Sequence, residues 1–574
     1  MRRSSWRRRM LWWVFAQVAT VLSPIFAATP EVTAPHAIVV ASSGDGAADA
    51  GLELLKRGGT AMDAAMAVAM AQPCHAMGSF VSYAGIITLV YFEASSGKVY
   101  SLDGGFNTVR GEKDPLTIPA AAGDLVDLSG GGTASRPSGR TAMVPGFFAG
   151  VEVAHERFGK RPFSEIVAPG IRCAEQGFVL TQYDYGLIRA RQQVLERLPE
   201  TKAVFRKPDG SDYQVGDVFK QPALAQTLRA VARQGAREYI YRGAWGEKFV
   251  AAVQREGGFM TLEDLKAYEP TWSDAVHGAF NGYEIYSLGQ PLVSGFALIQ
   301  SLQLVEKAGL VHMPPYSRDP SALFSLVQVS KVGTMLASPD GSAQLAQMLH
   351  VDLSPQVRQQ PGTADGLWSA LQEGKIPMVK AIPATEHTDA IVAVDAMGNV
   401  AAVVHSINTV NWGSTGLFVD GVSIPDSASI QQRVIASLPP GSRLPATTHP
   451  GMVLKDGTVV LGFGATGIGS MTRSIAVLLN VLGHGMTPQQ AIDEPSLGGF
   501  EFEHGPPPEV VATVGQGEFD EAYLRSLREL GQCTRISNSA RGYWLGVAID
   551  PKTGTRHAGV MREFPQLAGG AVGY

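Results

Sequence analysis

The alternation of polar and apolar positions is sharpest between residues 386 and 408. The polar stretch Glu386–Asp389 is followed by the apolar run Ala390–Val394, a turn at Ala396–Asn399 and a second apolar run, Val400–Val404. Runs that are apolar at consecutive positions are typical of strands buried on both faces. The sequence therefore predicts a hairpin inside a stack of two sheets, with Thr388 at its entrance.

The same patterning predicts the rest of the architecture. Three further hairpins are expected, namely Ile86–Phe92 with Lys98–Leu102, Met452–Leu454 with Val459–Leu461, and Leu545–Ile549 with Thr555–Val560. Residues 145–350 follow a mostly helical period, and residues 354–383 are polar and irregular, as expected of a linker that leads to a processing site. Antiparallel sheets with helices outside them predict an α+β fold, a four-layer αββα sandwich.

Composition limits the class of protein. The chain has 574 residues, of which 45% are apolar and 17% charged, so it can bury a large core. Three cysteines are too few and too scattered for a disulfide framework or a zinc site, and we expect them to be buried apolar residues. No histidine pair has metal-ligand spacing near carboxylates, so we expect neither a metal nor another cofactor.

The first 27 residues are predicted to be a signal peptide. Five arginines between Arg2 and Arg9 precede the short apolar run Leu11–Leu22, and Ile25-Phe26-Ala27 offers a cleavage site. This predicts a periplasmic or secreted protein with no stable membrane span after removal of the signal. A twin-arginine export signal and a single N-terminal membrane anchor remain open. Without these arginines the formal charge moves from −5 to −10, which argues against a nucleic-acid partner.

Thr388 is the candidate nucleophile. If the chain is cut just before it, the freed α-amine, with a pKa of about 7.7 to 8.0, becomes the nearest base for the threonine hydroxyl. A threonine that only caps the strand fits the same segment.

A second candidate element is the glycine-rich segment Gly462–Ser470, which follows a strand and precedes the apolar helix predicted at Met471–Leu482. Its backbone N–H groups and the start of the helix suit an oxyanion hole. A tight connection between strand and helix is the alternative.

Several blocks in this order carry a family resemblance. They are Ala50–Ala65, Val144–Phe147 with His155–Gly159, Gly257–Leu265 followed by Tyr268, and the segment around Thr388. Together they resemble the γ-glutamyltransferase (γ-glutamyltranspeptidase) family of N-terminal-nucleophile hydrolases. The resemblance implies self-cleavage between His387 and Thr388. It thus implies a large chain, 28–387, and a small chain, 388–574, that form a heterodimer.

The resemblance also assigns site residues. Thr388 matches the nucleophile, Ser406 its supporting hydroxyl, and Gly467 with Ile468 the oxyanion donors. Asn408 and Thr447, the latter in Ala446–Pro450, match substrate contacts. Because Ser406 and Asn408 lie two positions apart, we expect them on one strand face.

The residues that recognise a glutamyl group match poorly. The family's arginine for the substrate α-carboxylate is missing from Leu102–Thr108, and the first arginine after that segment is Arg110. Arg110 either replaces this contact or is a solvated loop residue. The acidic residue for the α-amine falls near Ile430, where Asp426 can substitute only if the loop is rerouted. The acyl-transfer residues are therefore retained while the pocket for a zwitterion is rebuilt.

Three functions are compatible with this pattern. The first is a γ-glutamyltransferase or γ-glutamyl hydrolase acting on glutathione-like peptides and passing the acyl group to water or an amine. The second is an amidohydrolase or acylase of the same fold with another acyl group. The third is a non-catalytic exported binding protein. Thr388 with Ser406 and Asn408 argues against the third, and the missing arginine separates the first from the second.

Overall fold

The computed structural model describes residues 31–120, 137–290, 292, 294–358, 360, 362–376, 388–467, 469–503, 509–537, 542–561 and 567–574. The predicted signal peptide, His387 and Ile468 lie outside the described residues.

The described strands are, in chain order, β1 (Val32–Ala34), β2 (Ile38–Ser43), β3 (Ile86–Glu93), β4 (Lys98–Gly104), β5 (Phe178–Val179), β6 (Val218–Phe219), β7 (Thr271–Asp274), β8 (Val276–Phe280), β9 (Tyr283–Ser287), β10 (Asp389–Val394), β11 (Val400–Ser406), β12 (Leu417–Val419), β13 (Val422–Ile424), β14 (Gly451–Lys455), β15 (Thr458–Thr466), β16 (Leu497–Glu503), β17 (Glu509–Gly515), β18 (Thr534–Ser537), β19 (Tyr543–Ile549), β20 (Arg556–Val560) and β21 (Ala568–Gly573).

The described α-helices are α1 (Ala47–Lys56), α2 (Ala61–His75), α3 (Phe147–Phe158), α4 (Phe163–Gln176), α5 (Gln182–Ala190), α6 (Gln192–Leu195), α7 (Pro199–Val204), α8 (Pro222–Gln234), α9 (Ala244–Arg255), α10 (Leu262–Lys266), α11 (Ser294–Lys307), α12 (Pro320–Ala337), α13 (Pro339–Leu349), α14 (Pro355–Arg358), α15 (Gly362–Gln372), α16 (Gln432–Ala436), α17 (Ser470–Leu478), α18 (Pro488–Asp493) and α19 (Glu521–Glu529).

Two antiparallel sheets of seven strands form the centre of the molecule. The first has the order β1-β20-β19-β15-β14-β9-β8, and the second has the order β21-β2-β10-β11-β3-β4-β7. The three hairpins predicted outside the Thr388 segment are present as β3–β4, β14–β15 and β19–β20.

The sheets stack face to face, and each carries helices on its outer face. Side chains such as Ala390 and Val392 of β10 pack between the sheets with Met452 and Val547. The other face of the second sheet packs on helices α1, α2 and α3, and the first sheet packs on α11 and α17. Helix α4 packs on α2, and α12 packs on α11 and α17. This confirms the four-layer αββα sandwich, and it explains why β10 and β11 are apolar on both faces.

The hairpin β10–β11 is held by its own turn. The Asp395 carboxylate accepts hydrogen bonds from the backbone N–H groups of Met397 and Asn399, at 2.9 and 3.0 Å, and from that of Ala61 at the start of α2, at 2.9 Å. Gly398 adopts a φ of +86°, which a residue with a side chain rarely tolerates. These contacts fix the register that places Thr388 beside the end of β11.

Two segments differ from the sequence expectation. Strands β7–β9 interrupt the region predicted to be mostly helical and extend one edge of each large sheet. The segment predicted to be irregular contains α14 and α15, and α15 forms because Ala364, Leu367 and Ala370 share a helix face that is buried. The rest of that segment, from residue 377, lies outside the described residues.

The cysteine expectation is corrected in one respect. Cys74 at the end of α2 and Cys173 in α4 form a disulfide, although both were expected to be buried thiols. They are 99 residues apart, so their sequence positions did not indicate the pairing. A search of the described helices finds none long and apolar enough to cross a membrane.

Candidate active site

Thr388 lies at one end of the second sheet, immediately before the interior strand β10. The register pairs Asp389 with His405, so Thr388 stands opposite Ser406 at the end of β11. The Thr388 Oγ1 and Ser406 Oγ atoms are 3.1 Å apart, within hydrogen-bonding distance. Because Ala390 packs between the sheets and strand side chains alternate, the Thr388 side chain faces the opposite sheet.

Ser406 is oriented in turn by the backbone of Asn408. The Asn408 N–H donates to Ser406 Oγ at 3.1 Å, so the Ser406 hydroxyl links Thr388 to the loop after β11. Asn408 itself is not on the strand, because β11 ends at Ser406 and Asn408 has a left-handed φ of +51°. The expectation that Ser406 and Asn408 share a strand face is therefore wrong, although the two residues are in direct contact.

The glycine-rich segment approaches Thr388 from the other sheet. Strand β15 ends at Thr466, and Thr466, Ser42 and Ala390 line one small cavity between the sheets. A Cβ on Gly464 would lie 2.9 Å from the Ala390 Cβ, so glycine is needed for this close approach. Gly467 follows with a φ of +78°, and the helix predicted at 471–482 is seen as α17 and a π-helical turn, Leu479–Gly483. The role of Gly467 and Ile468 as oxyanion donors stays a prediction.

Asp389, which no sequence motif indicates, is a buried acid next to Thr388. Ser42 Oγ and Ser43 Oγ donate to its two carboxyl oxygens at 2.8 and 2.7 Å. Burial raises the pKa of Asp389 to about 6, while the two serine hydrogen bonds oppose that shift. The signal available in the sequence is a carboxylate that is followed directly by the apolar run Ala390–Val394.

His405 forms a second buried polar group in the same row of strand residues. Its Nε2 lies 2.7 Å from the Gln72 side-chain oxygen on α2, and burial lowers the pKa of His405 to about 3. The imidazole is therefore neutral at physiological pH. It faces the helices, on the side of the sheet away from Thr388 Oγ1, as expected from strand alternation.

Arg110 does not reach the nucleophile in this structure. It is exposed, its backbone N–H donates to the Asp264 carboxylate at 3.1 Å, and its guanidinium contacts the Glu263 carbonyl at 3.4 Å. Its contacts thus belong to the surface beside α10, which fits the solvated-loop interpretation.

A different arginine, Arg443, occupies the space beside the loop after β4. Its guanidinium donates to the Asn107 side chain and the Asp103 carbonyl, both at 2.7 Å, and forms an ion pair with the Asp103 carboxylate at 3.1 Å. The same group donates to the Glu269 carbonyl at 2.7 Å and lies over the Tyr268 ring. Arg443 therefore fills the loop region where the family arginine is missing, but most of its N–H groups are already used.

The remaining predicted substrate contacts are divided between surface and core. Thr447 is exposed, and the neighbouring Thr448 bonds Thr88 of β3 at 2.8 Å, which brings this segment against the second sheet. Asp426 is fully buried, and its carboxylate accepts from Thr409 Oγ1 at 2.6 Å and from the Ser414 N–H at 2.8 Å. Asp426 is thus committed to the loop after β11.

Comparison with known proteins identifies the family of this chain. A family model described as gamma-glutamyltranspeptidase matches residues 47–562. A glutathione hydrolase proenzyme of Pseudomonas sp. strain A14 is 27% identical over 477 residues, covering 78% of this chain and 79% of that protein. An acylase ACY 1 proenzyme of Pseudomonas sp. strain SE83 is 27% identical over 440 residues, covering 72% and 75%.

The fold is shared with a solved acylase. The crystal structure of cephalosporin acylase from Bacillus halodurans superposes with a TM-score of 0.77 at 21% identity, covering 96% of this chain and 98% of that one. Because the family model spans most of the sequence, this chain belongs to the gamma-glutamyltranspeptidase family and is an enzyme with the N-terminal-nucleophile hydrolase fold.

Proposed function

We propose that the chain is a proenzyme that cleaves itself between His387 and Thr388. The hydroxyl of Thr388 attacks the His387 carbonyl, and the acyl group of His387 moves from the Thr388 nitrogen to Oγ1 as the C–N bond breaks and frees the α-amine. Water then hydrolyses the resulting ester. The products are the large chain, 28–387, and the small chain, 388–574, which stay together as a heterodimer. The hydrogen-bonded pair of Thr388 and Ser406 hydroxyls, 3.1 Å apart, is the observation that carries this proposal.

The same threonine then performs turnover. Its freed α-amine takes the hydroxyl proton, Thr388 attacks an amide carbonyl, and the amine returns the proton to the leaving nitrogen. The N–H groups near Gly467 and Ile468 stabilise the developing oxyanion, a contribution of about 10² to 10³ in rate for each donor. The acyl group then passes to water or to an amine acceptor.

The substrate we favour is an amide whose acyl group lacks a free α-amino acid head. Arg110 is hydrogen-bonded to the Glu263 carbonyl at the surface. Arg443 forms an ion pair with Asp103, and the Asp426 carboxylate is hydrogen-bonded within its own loop. A γ-glutamyl group needs a positive charge for its carboxylate and a negative charge for its amine. Removing those charges from the site weakens its discrimination for the zwitterion.

The second candidate function is γ-glutamyl transfer or hydrolysis on a peptide such as glutathione. It is favoured by the 27% identity to a glutathione hydrolase proenzyme. The two functions are separated by comparing γ-glutamyl-p-nitroanilide with glutaryl- and aliphatic-acyl anilides at equal concentration. We expect faster release of the anilide from the acyl compounds, and a clear preference for the γ-glutamyl compound would overturn the substrate proposal.

We also propose that the protein is exported to the periplasm or secreted. The basic and apolar segment at residues 1–27 supports this, as does the Cys74–Cys173 disulfide, because disulfides persist mainly in oxidising compartments. Mass spectrometry of the protein from fractionated cells tests both points, since a mature chain starting at Ala28 in the periplasm or medium is expected.

A further inference from the structure

A row of polar side chains crosses the second sheet directly behind the nucleophile. Ser43, Asp389 and His405 are cross-strand neighbours on β2, β10 and β11, on the face that packs against the helices. The next residue of β10 on this face, Ile391, belongs to the apolar core. The row is therefore a local exception in an apolar face, placed at the end of the strand where Thr388 stands.

Asp389 is the only member of this row that can carry a negative charge. Among the ion pairs between described residues, none includes Asp389, and its carboxylate is stabilised by the hydroxyls of Ser42 and Ser43. Ser42 Oγ also accepts the Ala390 N–H at 2.8 Å, so the serine ties the carboxylate to the backbone of β10. A buried acid without a basic partner is costly unless a cation appears nearby.

Self-cleavage before Thr388 creates such a cation. The new α-amine belongs to the residue adjacent to Asp389, and consecutive Cα atoms are about 3.8 Å apart, so carboxylate and amine lie within roughly 7 Å. We propose that Asp389, clamped by Ser42 and Ser43, is a positioning residue that holds the α-amine of mature Thr388 and sets how readily it gains and loses its proton. This inference rests on the proposed role of Thr388 and adds the residue that controls its amine.

Other titratable groups on the surrounding elements are few. His405 on β11 is in the same row, and its pKa is lowered by burial, which keeps it neutral. His75 at the end of α2 and Asp45 before α1 line a cavity of about 490 Å³ that Ser43 also lines. Tyr543 of β19 lines the small cavity beside Ser42. Asp389 is the acid that is hydrogen-bonded between the neighbouring strands β10 and β2. We therefore expect it to have the largest effect on the pKa of the Thr388 amine.

The test is the pH profile of kcat/KM for Asp389→Asn, which keeps the side-chain shape but removes the charge. An ionised Asp389 stabilises the ammonium form of Thr388, so its loss lowers the pKa of the amine and moves the acid limb to lower pH by about one unit. Ser43→Ala removes one donor to the carboxylate and is expected to move the limb in the same direction by less.

Asp395→Asn is the matched control. Asp395 is a buried carboxylate beside the other end of β10, seven residues from Thr388, or roughly 23 Å along an extended strand. It is expected to lower the thermal midpoint without moving the acid limb. Wild-type protein, processed to a chain starting at Thr388, provides the reference profile.

The outcomes are distinct. A limb that stays in place in both Asp389→Asn and Ser43→Ala, with only a lower thermal midpoint, overturns the inference and leaves Asp389 as a structural clamp. Folded variants that stay uncut also overturn it, because Asp389 would then act in maturation. If the wild-type chain itself shows no new terminus at Thr388, the proposed function fails first, and that failure is visible before any variant is made.

Discussion

The two sides of the site differ in how their polar groups are used. On the side of the hairpin, the hydroxyls of Thr388 and Ser406 meet where β10 begins and β11 ends, and Thr388 is only half-buried. On the side of the loop after β4, Arg443 and Asp103 are charged and close, yet each is bonded to neighbouring protein groups. In the first region the polar groups are two hydroxyls within hydrogen-bonding distance of each other, whereas in the second region the charged groups are engaged in hydrogen bonds and an ion pair with the rest of the protein.

The difference teaches that charged residues near a site do not by themselves define a binding pocket. Arg443 lies beside the loop where the family arginine is missing, and its position alone would favour carboxylate binding. Its hydrogen bonds to Asn107, Asp103 and Glu269 instead give it a structural role in holding the loop after β4.

The largest effect is expected from the nucleophile. Thr388→Ala should leave a single uncut chain and abolish turnover, because both steps use the same hydroxyl. Thr388→Ser keeps a hydroxyl and is the matched control, with slower but detectable cleavage. Denaturing gels and N-terminal sequencing measure the outcome. Splitting of the alanine variant at the same bond would show that another group is the nucleophile.

Arg443→Ala tests whether the second region is structural. Its removal leaves the Asp103 carboxylate buried without its cation, which typically costs about 3 to 5 kcal/mol in the free energy of unfolding. Denaturant unfolding of the uncut Thr388→Ala chain is the measurement, and Arg110→Ala on the same background is the control. If stability is unchanged while processed Arg443→Ala enzyme binds substrate poorly, Arg443 is the substrate's cation and the comparison fails.

Asp389 gives a stability effect that depends on pH. Its pKa is about 6 in the folded protein and about 3.9 in an unfolded chain, so the folded state binds more protons between these values. Its contribution to the free energy of unfolding therefore falls by up to about 3 kcal/mol as pH rises from about 4 to about 6. Above about pH 6 the ionised Asp389 carboxylate opposes folding. Below about pH 4 Asp389 is protonated in both the folded and the unfolded state, so its titration no longer changes the free energy of unfolding.

His405 also titrates in this pH range, and its effect on the free energy of unfolding has the opposite dependence on pH. Its pKa of about 3 lies below the unfolded value, so its stability contribution is lost as pH falls from about 6.5 toward 3. The useful quantity is thus the difference in unfolding free energy between Thr388→Ala and the double variant with Asp389→Asn. That difference should change across pH 4 to 6, and a constant value would contradict the raised pKa. The uncut chain has no α-amine at Thr388, so this experiment is independent of the one on turnover.

Much of the hairpin region could be predicted from the sequence because its determinants are local. Consecutive apolar positions predict β10 and β11, and the glycine and asparagine after Asp395 predict the turn. Ser406 is indicated by the family resemblance, and the observed register of the hairpin places it opposite Thr388. The left-handed turn at Asn408 was missed because a two-residue spacing was read as continued strand, and only the backbone geometry reveals where β11 ends.

The other contacts could not be predicted because they join distant segments. Ser42 and Asp389 are 347 positions apart, and Arg443 and Asp103 are 340 apart. The Cys74–Cys173 pairing and the edge strands β7–β9 depend in the same way on how the sheets and helices stack. Periodicity gives the type of an element, whereas partners across layers follow from the packing of the whole chain.

At Asn408, the contribution of the backbone N–H can be measured separately from that of the side-chain amide. At its φ of +51°, alanine is expected to cost about 1 kcal/mol in stability, whereas glycine adopts this conformation freely. Asn408→Gly keeps the N–H that bonds Ser406 and removes only the amide. We expect normal self-cleavage and a loss of up to about tenfold in kcat/KM, the value of one uncharged hydrogen bond. Unchanged kcat/KM in the glycine variant would show that only the turn matters.

Arg110→Ala should have the smallest effect, and it tests the substrate proposal most directly. Because Arg110 is exposed and contacts the Glu263 carbonyl, its removal should change stability by less than about 0.5 kcal/mol. We expect the ratio of acyl-anilide to γ-glutamyl-anilide turnover to stay within about twofold of wild type. This corresponds to a change of less than about 0.4 kcal/mol in the relative activation free energy of the two substrates. Arg172→Ala, another exposed arginine, serves as the control for general loss of surface charge. If Arg110→Ala selectively abolishes γ-glutamyl turnover, the arginine swings into the site when substrate binds. The second region would then be a recognition pocket in the working enzyme.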